Sequence, residues 1–135
     1  MSSFLIFDSS VLVNHLRTQR YKELFESAGG LVRNSSVVLA ELWRGVRNAY
    51  DREFLRALEK NHPVLTPTQN NWLVSGRILA KLAVEQGFTP PKLRDMHFDV
   101  LIALTARSYG ARLITANRAD FELIKRYCDF QLDVW

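Results

Sequence analysis

The sequence predicts an α/β fold: a three-layer α/β/α sandwich in which helices flank a central, mostly parallel sheet of short strands. Three observations carry this reading. The strand candidates are short and apolar, as strands buried on both faces are. Each gap between them contains at least one helical segment, the crossover that parallel neighbours need. The breaks at Gly29-Gly30, at His62-Pro63 to Pro67 and at Gly87 to Pro91 are too brief for an interdomain linker. A single domain is therefore expected over residues 1–135, long enough to bury a core without staples.

In order, Phe4-Leu5-Ile6-Phe7 reads as a buried strand, followed by helical segments over 9–16 and 20–28. Leu31 to Arg33 is a short strand, after which Ser35-Ser36 caps a helix reaching Ala49. Another helix covers 51–60, and Val64-Leu65 is a short strand candidate. Thr68 opens a long helix to Gln86, stopped by Gly87 and the Pro90-Pro91 pair. A helix over 96–109 ends at Gly110; a strand at 112–115, a helix at 118–127 and a strand at 130–134 complete the chain.

The composition narrows the classes. Cys128 is the one cysteine, which excludes an intramolecular disulfide framework and a multi-cysteine metal site and suits a reducing cytoplasm. No apolar run reaches the length of a membrane span. Asp8 interrupts the first apolar stretch too early for a signal peptide, so the expected location is the cytoplasm. A net charge of +4 is a mild excess, compatible with nucleic acid or an acidic partner and diagnostic of neither. There is no GxxxxGKS/T phosphate loop, no GxGxxG and no GxSxG elbow.

The chemistry lies in misplaced acids. Asp8 directly follows the first strand; taken singly it reads as a helix N-cap for the segment from Ser9 or Ser10. Glu41 shares the apolar flank of "SVVLAEL", where a carboxylate is costly unless paired or bound to a cation, with Arg44 or Arg47 as ordinary partners. Asp99 has Ile102, Ala103 and Ala106 as helical neighbours, and a first-turn dipole role explains its presence but not its inward face. Asn117 and Asp120 resemble a capping box. Each explanation can hold alone. Convergence is what they leave out, since all four acids fall at the carboxyl edge of a parallel sheet, where sites form. Four carboxylates brought together repel one another, and a divalent cation removes that cost. An all-oxygen set points to Mg2+ or Mn2+ rather than zinc.

Four segments, "FDSSVLVN", "SSVVLAELWRGV", "FDVLIALTARSYGARLIT" and "TANRADFELI", resemble in order and spacing the PIN-domain ribonucleases, and among them the VapC toxins of toxin–antitoxin pairs. The resemblance covers essentially the whole chain and implies a PIN-like fold. It carries Asp8, Glu41 and Asp99 onto the family's three metal-site acids. The fourth polar position falls on Asp120 with Asn117 as accessory, and Thr115 and Ser10 resemble supporting hydroxyls. His15 and His97 match no family ligand, and His97 reads as a partly exposed histidine at a helix start. The implied activity is metal-assisted hydrolysis of RNA phosphodiesters, with arginines such as Arg44, Arg47, Arg112 and Arg118 as candidates for the RNA backbone. The implied partners are a small VapB-like antitoxin that blocks the groove and a second copy of the chain in a homodimer. The helix "NNWLVSGRILAKLAV", with Trp72, Val74, Ile78 and Leu79 spread around it, would suit burial on more than one side. Two other readings stay open: a PIN-like nuclease of RNA processing without an antitoxin, and a non-catalytic α/β binding module whose acids are caps.

Overall fold

In the computed structural model, which describes residues 4–135, five strands form one sheet in the order β3-β2-β1-β4-β5. They are β1 (Phe4–Phe7), β2 (Leu31–Ser35), β3 (Val64–Leu65), β4 (Ala111–Thr115) and β5 (Gln131–Val134), and all four pairings are parallel. Successive strand residues face opposite sides of a sheet. Leu5, Ile6 and Phe7 are all buried, so both faces of β1 are covered. That is why the strand carries no polar alternation.

The helices are α1 (Ser9–Thr18), α2 (Lys22–Ser27), α3 (Ser36–Arg44), α4 (Ala49–Asn61), α5 (Gln69–Gln86), α6 (Pro90–Ser108) and α7 (Arg118–Lys125). Seven consecutive residues of α6, Val100 to Ala106, are buried. A helix apolar on every side belongs in the interior, and α6 packs between the sheet at β4 and helices α3, α5 and α7. The outer helix α5 behaves differently from the expectation of burial on several sides. It buries a narrow stripe of Asn71, Ser75, Ile78 and Leu82, while Trp72 and Leu73 stay half exposed.

Two of the differences from the sequence reading bear on the site, and both have identifiable reasons. The helix expected to reach Ala49 ends earlier: α3 stops at Arg44 with Gly45 as its cap, and the next helix, expected from 51, begins at Ala49, with Asn48 capping α4 by accepting from the Asp51 amide. The expected helix over 96–109 starts at Pro90. Its two prolines occupy the first helical positions, where the missing N–H groups have no helical partner anyway, while Gly87, in the left-handed region at φ 68°, ends α5. Asp99 is thus in the third turn of α6, beyond the reach of a first-turn dipole role.

The strand order places β1 centrally. From β1 the chain moves outward through β2 and β3, then returns to the other side of β1 with β4 and β5. The reversal lies between β1 and β4, where the crevice beyond the strand ends is the expected binding place in an open parallel sheet. Asp8 follows the end of β1, and Thr115 ends β4.

Candidate metal centre

Asp8 is held by the sheet itself. Its backbone N–H donates to the Ile114 carbonyl at 2.8 Å, extending the β1–β4 ladder by one residue. It occupies the N-cap position of α1, yet its side chain makes no capping bond, so the capping explanation fails for the carboxylate. Oδ2 instead accepts from Ser10 Oγ and Thr115 Oγ1, each at 2.8 Å. These hydroxyls are oriented in turn: Ser10 Oγ accepts from the Ala116 amide at 3.0 Å, and Thr115 Oγ1 accepts from the Asn117 amide at 2.9 Å. Two main-chain donors therefore direct two hydroxyl protons onto one oxygen. The other oxygen, Oδ1, is buried and has no hydrogen-bond partner.

The Thr115 hydroxyl is fully buried and serves two groups. Thr115→Val leaves the Asn117 amide and Asp8 Oδ2 each short of a bond, with an expected cost of about 1–3 kcal/mol. Urea unfolding checks this, and an unchanged midpoint would remove the support role.

Glu41 projects from the middle of α3 toward the same crevice. Its one hydrogen bond among the described residues is a long one, accepted from Ser9 Oγ at 3.4 Å. Arg44 makes no ion pair with it; the guanidinium lies over the Phe98 ring, 5.1 Å from the centroid, and acts on Glu41 only through its field. Burial, with the Asp8 charge second, pushes Glu41 up to about 7. Asp99 is pushed further, to about 8, first by burial and then by Asp8, Glu41 and Asp120, with Lys92 partly offsetting them. One oxygen from each of Asp8, Glu41 and Asp99 lies within 4.8 Å of the others. Three elements thus deliver three acids to one point, where burial first and their mutual repulsion second keep two of them from ionising readily. An unpartnered buried Asp8 oxygen together with an all-carboxylate set fits a hard divalent cation.

Asp120 stands beside this trio rather than in it. Its Oδ2 accepts from Asn117 Nδ2 at 3.1 Å, and its Oδ1 lies 3.5 Å from Lys92 Nζ. Asn117 caps α7 by accepting from the Asp120 amide, but the reciprocal half of a capping box is missing, since the Asn117 amide is spent on Thr115.

The family profile described as PIN domain matches residues 5–127. The chain belongs to the PIN-domain family. PIN domains are nucleases, and the acid cluster has the makeup of a divalent-metal site. No curated protein sequence matches the chain. Among solved structures, the chain is similar to VapBC-1 from nontypeable Haemophilus influenzae, with 23% identity, 98% of each chain covered and a TM-score of 0.71. It is similar to VapBC2 from Rickettsia felis, bound to a promoter DNA fragment, at 21% identity, 98% of each chain and a TM-score of 0.72. It also resembles DNA-bound VapBC from Salmonella typhimurium at 22% identity, with 100% of this chain and 99% of that chain covered and a TM-score of 0.67. At these identities the likeness is one of fold.

Around this PIN centre the arginines divide. Arg44 borders the crevice, and Arg47 lines the cleft that continues from it. Arg118 is exposed and paired with Glu122 at 2.8 Å. Arg112 sits in β4 opposite Leu5, away from the carboxyl edge, which removes it from the backbone-contact set. His97 also differs from expectation: it lies inside α6, with Nε2 3.0 Å from Ser75 Oγ and its ring edge-on to Trp72. Sequence reasoning missed Lys92. With Pro90 taken as the first residue of α6, Lys92 falls seven residues before Asp99 on the same helix face, and that register was the available signal.

Proposed function

We propose that this PIN domain is an endoribonuclease dependent on Mg2+ or Mn2+ and acts as the toxin of a type II toxin–antitoxin pair. One observation carries the reading: three acids on three elements converge within 4.8 Å, with a buried Asp8 oxygen left unpartnered. Asp8, Glu41 and Asp99 would hold the cation, with Asp120 as a fourth acid and Asn117 as accessory. A bound divalent ion supplies Lewis-acid stabilisation of phosphate charge and lowers the pKa of water.

The chain's own residues supply position and proton control. Ser10 and Thr115 hold Asp8 in one orientation, leaving Oδ1 for the site. Near neutral pH without a cation, burial and neighbouring acids leave Asp99 largely and Glu41 partly protonated, and those protons must leave for the site to load. Glu41, which also lines the adjoining cleft, is the acid placed to orient an attacking water. Arg44 and Arg47 would hold RNA phosphates.

The solved neighbours are VapBC assemblies, one of them described as a member of the VapBC family of toxin–antitoxin systems, which supports a VapB-like antitoxin as partner. A homodimer and a cytoplasmic location belong to the same reading. Among the described residues no helix is long and apolar enough to cross a membrane.

The purified chain is expected to cut single-stranded RNA in Mg2+ or Mn2+, and to leave it intact in EDTA. With phosphate contacts at Arg44 and Arg47, RNA affinity should fall roughly sevenfold between 50 and 200 mM salt. Induced expression should arrest growth, relieved by a co-expressed, upstream-encoded small protein. RNA left whole in both metals would sink the nuclease reading, whereas cleavage without growth arrest would favour RNA processing without an antitoxin.

A further inference from the structure

A cleft of about 310 Å³ opens directly off the metal centre, with Ser9 and Glu41 in its wall. Its floor is apolar, formed by Val13 and Leu16 of α1, Val46 of the α3–α4 connection and Leu55 of α4. Its rim carries Arg44 and Arg47. The Arg44 guanidinium lies over the Phe98 ring, and it makes no ion pair among the described residues that would compete for an anion.

The far end is closed by a rigid clamp. Arg17 donates through Nη1 and Nη2 to the two oxygens of Asp51, at 2.8 and 3.0 Å. The Arg47 amide donates to Asp51 Oδ2 at 3.0 Å, and the Asp51 amide donates to Asn48. One carboxylate therefore ties the end of α1 to the α3–α4 connection and the start of α4. This fixes the wall that carries Val46 and Arg47, and it neutralises Arg17 so that the cationic character stays at the rim.

We propose that this cleft is a specificity subsite holding one base of single-stranded RNA next to the cleaved bond, with the adjoining phosphates on Arg44 and Arg47. The inference rests on the nuclease reading above. An apolar floor accepts the face of a base, and a guanidinium rim accepts phosphate, while the open end leads to the acids where the bond is cut. The volume lies at the low end of the roughly 300–1,000 Å³ typical of small-molecule sites, enough for one nucleotide and not for a stacked run.

The test is Val13→Trp. Val13 is 40% exposed, so a large side chain there can fill the cleft without entering the core. Cleavage is read over an RNA library randomised around the cut, in Mg2+, for wild type and variant. Wild type is expected to prefer certain bases at one position beside the cut. The variant should lose that preference and raise KM by about tenfold or more, the cost of removing a pocket contact. Its melting temperature and its stabilisation by Mg2+ alone should not move, which a general structural defect would not allow. If Val13→Trp lowers the melting temperature, Val46→Trp fills the cleft from the α3–α4 connection and takes its place.

A variant that keeps wild-type base preference and KM overturns the subsite and leaves the nuclease reading intact. If wild type cuts no RNA, the nuclease reading fails by itself, and the subsite is decided by methyl NMR with uridine and adenosine 5′-monophosphates. Shifts at Val13, Leu16, Val46 and Leu55 that vanish on filling the cleft support it; their absence overturns it.

Discussion

Asp99→Asn is expected to lower RNA cleavage roughly 10³-fold while the protein stays folded. Asp99 projects from α6, whose interior position is set by the uninterrupted buried run from Val100 to Ala106, and those contacts do not involve the carboxylate. Asparagine keeps the shape and removes the charge. The cation then loses one of three acids that lie within 4.8 Å of one another. Metal assistance provides several kcal/mol of transition-state stabilisation, and each ~1.4 kcal/mol is a factor of ten in rate. Asp8→Asn should act similarly, with an added stability cost because its Oδ2 accepts from the Ser10 hydroxyl and the buried Thr115 hydroxyl. The measurement is single-turnover cleavage in saturating Mg2+, with circular dichroism as the check on folding. A folded Asp99→Asn protein that cuts at the wild-type rate would remove Asp99 from the site.

The same substitution should stabilise the protein when metal is absent. Folding raises Asp99 to about 8 and Glu41 to about 7, so the folded chain holds protons that the unfolded chain releases near pH 4. Stability then falls as pH rises from about 4 to about 8, because across that window the folded state binds more protons. Asp51 contributes with the opposite sign. Arg17 and the Arg47 amide hold its carboxyl below the usual range, so its contribution is lost only in acid. In EDTA at pH 8.5, Asp99→Asn should melt roughly 3–6 °C above wild type, equivalent to ~1–2 kcal/mol, and the two should converge near pH 4. Mg2+ at a hundred times its Kd should add about 2.7 kcal/mol to wild type. The variant should gain much less, so the order of melting reverses. A wild-type melting temperature that is flat in EDTA between pH 5 and 8 would contradict the crowding of acids that the geometry implies.

The sheet and the convergence of acids were legible because both follow from local patterns. Phe4 to Phe7 is apolar at every position, as a strand covered on both faces must be, and each strand is separated from the next by a helix. The register of α6 was misjudged because Pro90-Pro91 reads equally as the stop of one helix and the start of the next. Only packing decides, and with it went the depth of Asp99 and the position of Lys92. The end of α3 had a readable signal in Gly45, Asn48 and Asp51, spaced as a cap followed by an N-cap and its third residue. What no local pattern contains is the wiring of Ser10, Thr115 and Asp8, which exists only once β1 and β4 lie side by side. The pairing of Asp120 with Lys92 is of the same kind: an acid at one helix start meets a lysine at another, 28 positions earlier in the chain.

The bond between Thr115 and Asp8 joins residues 107 positions apart. On a ribosome, Asp8 emerges early and must wait for the strand that completes its surroundings. At synthesis rates of about 5–20 residues per second, that wait is roughly 5–20 s. Until then the chain carries its first acid but not the pocket that aims it. Under the toxin role proposed above, that interval keeps the nascent product inactive long enough for an inhibitor already present to be waiting when the last strands pair.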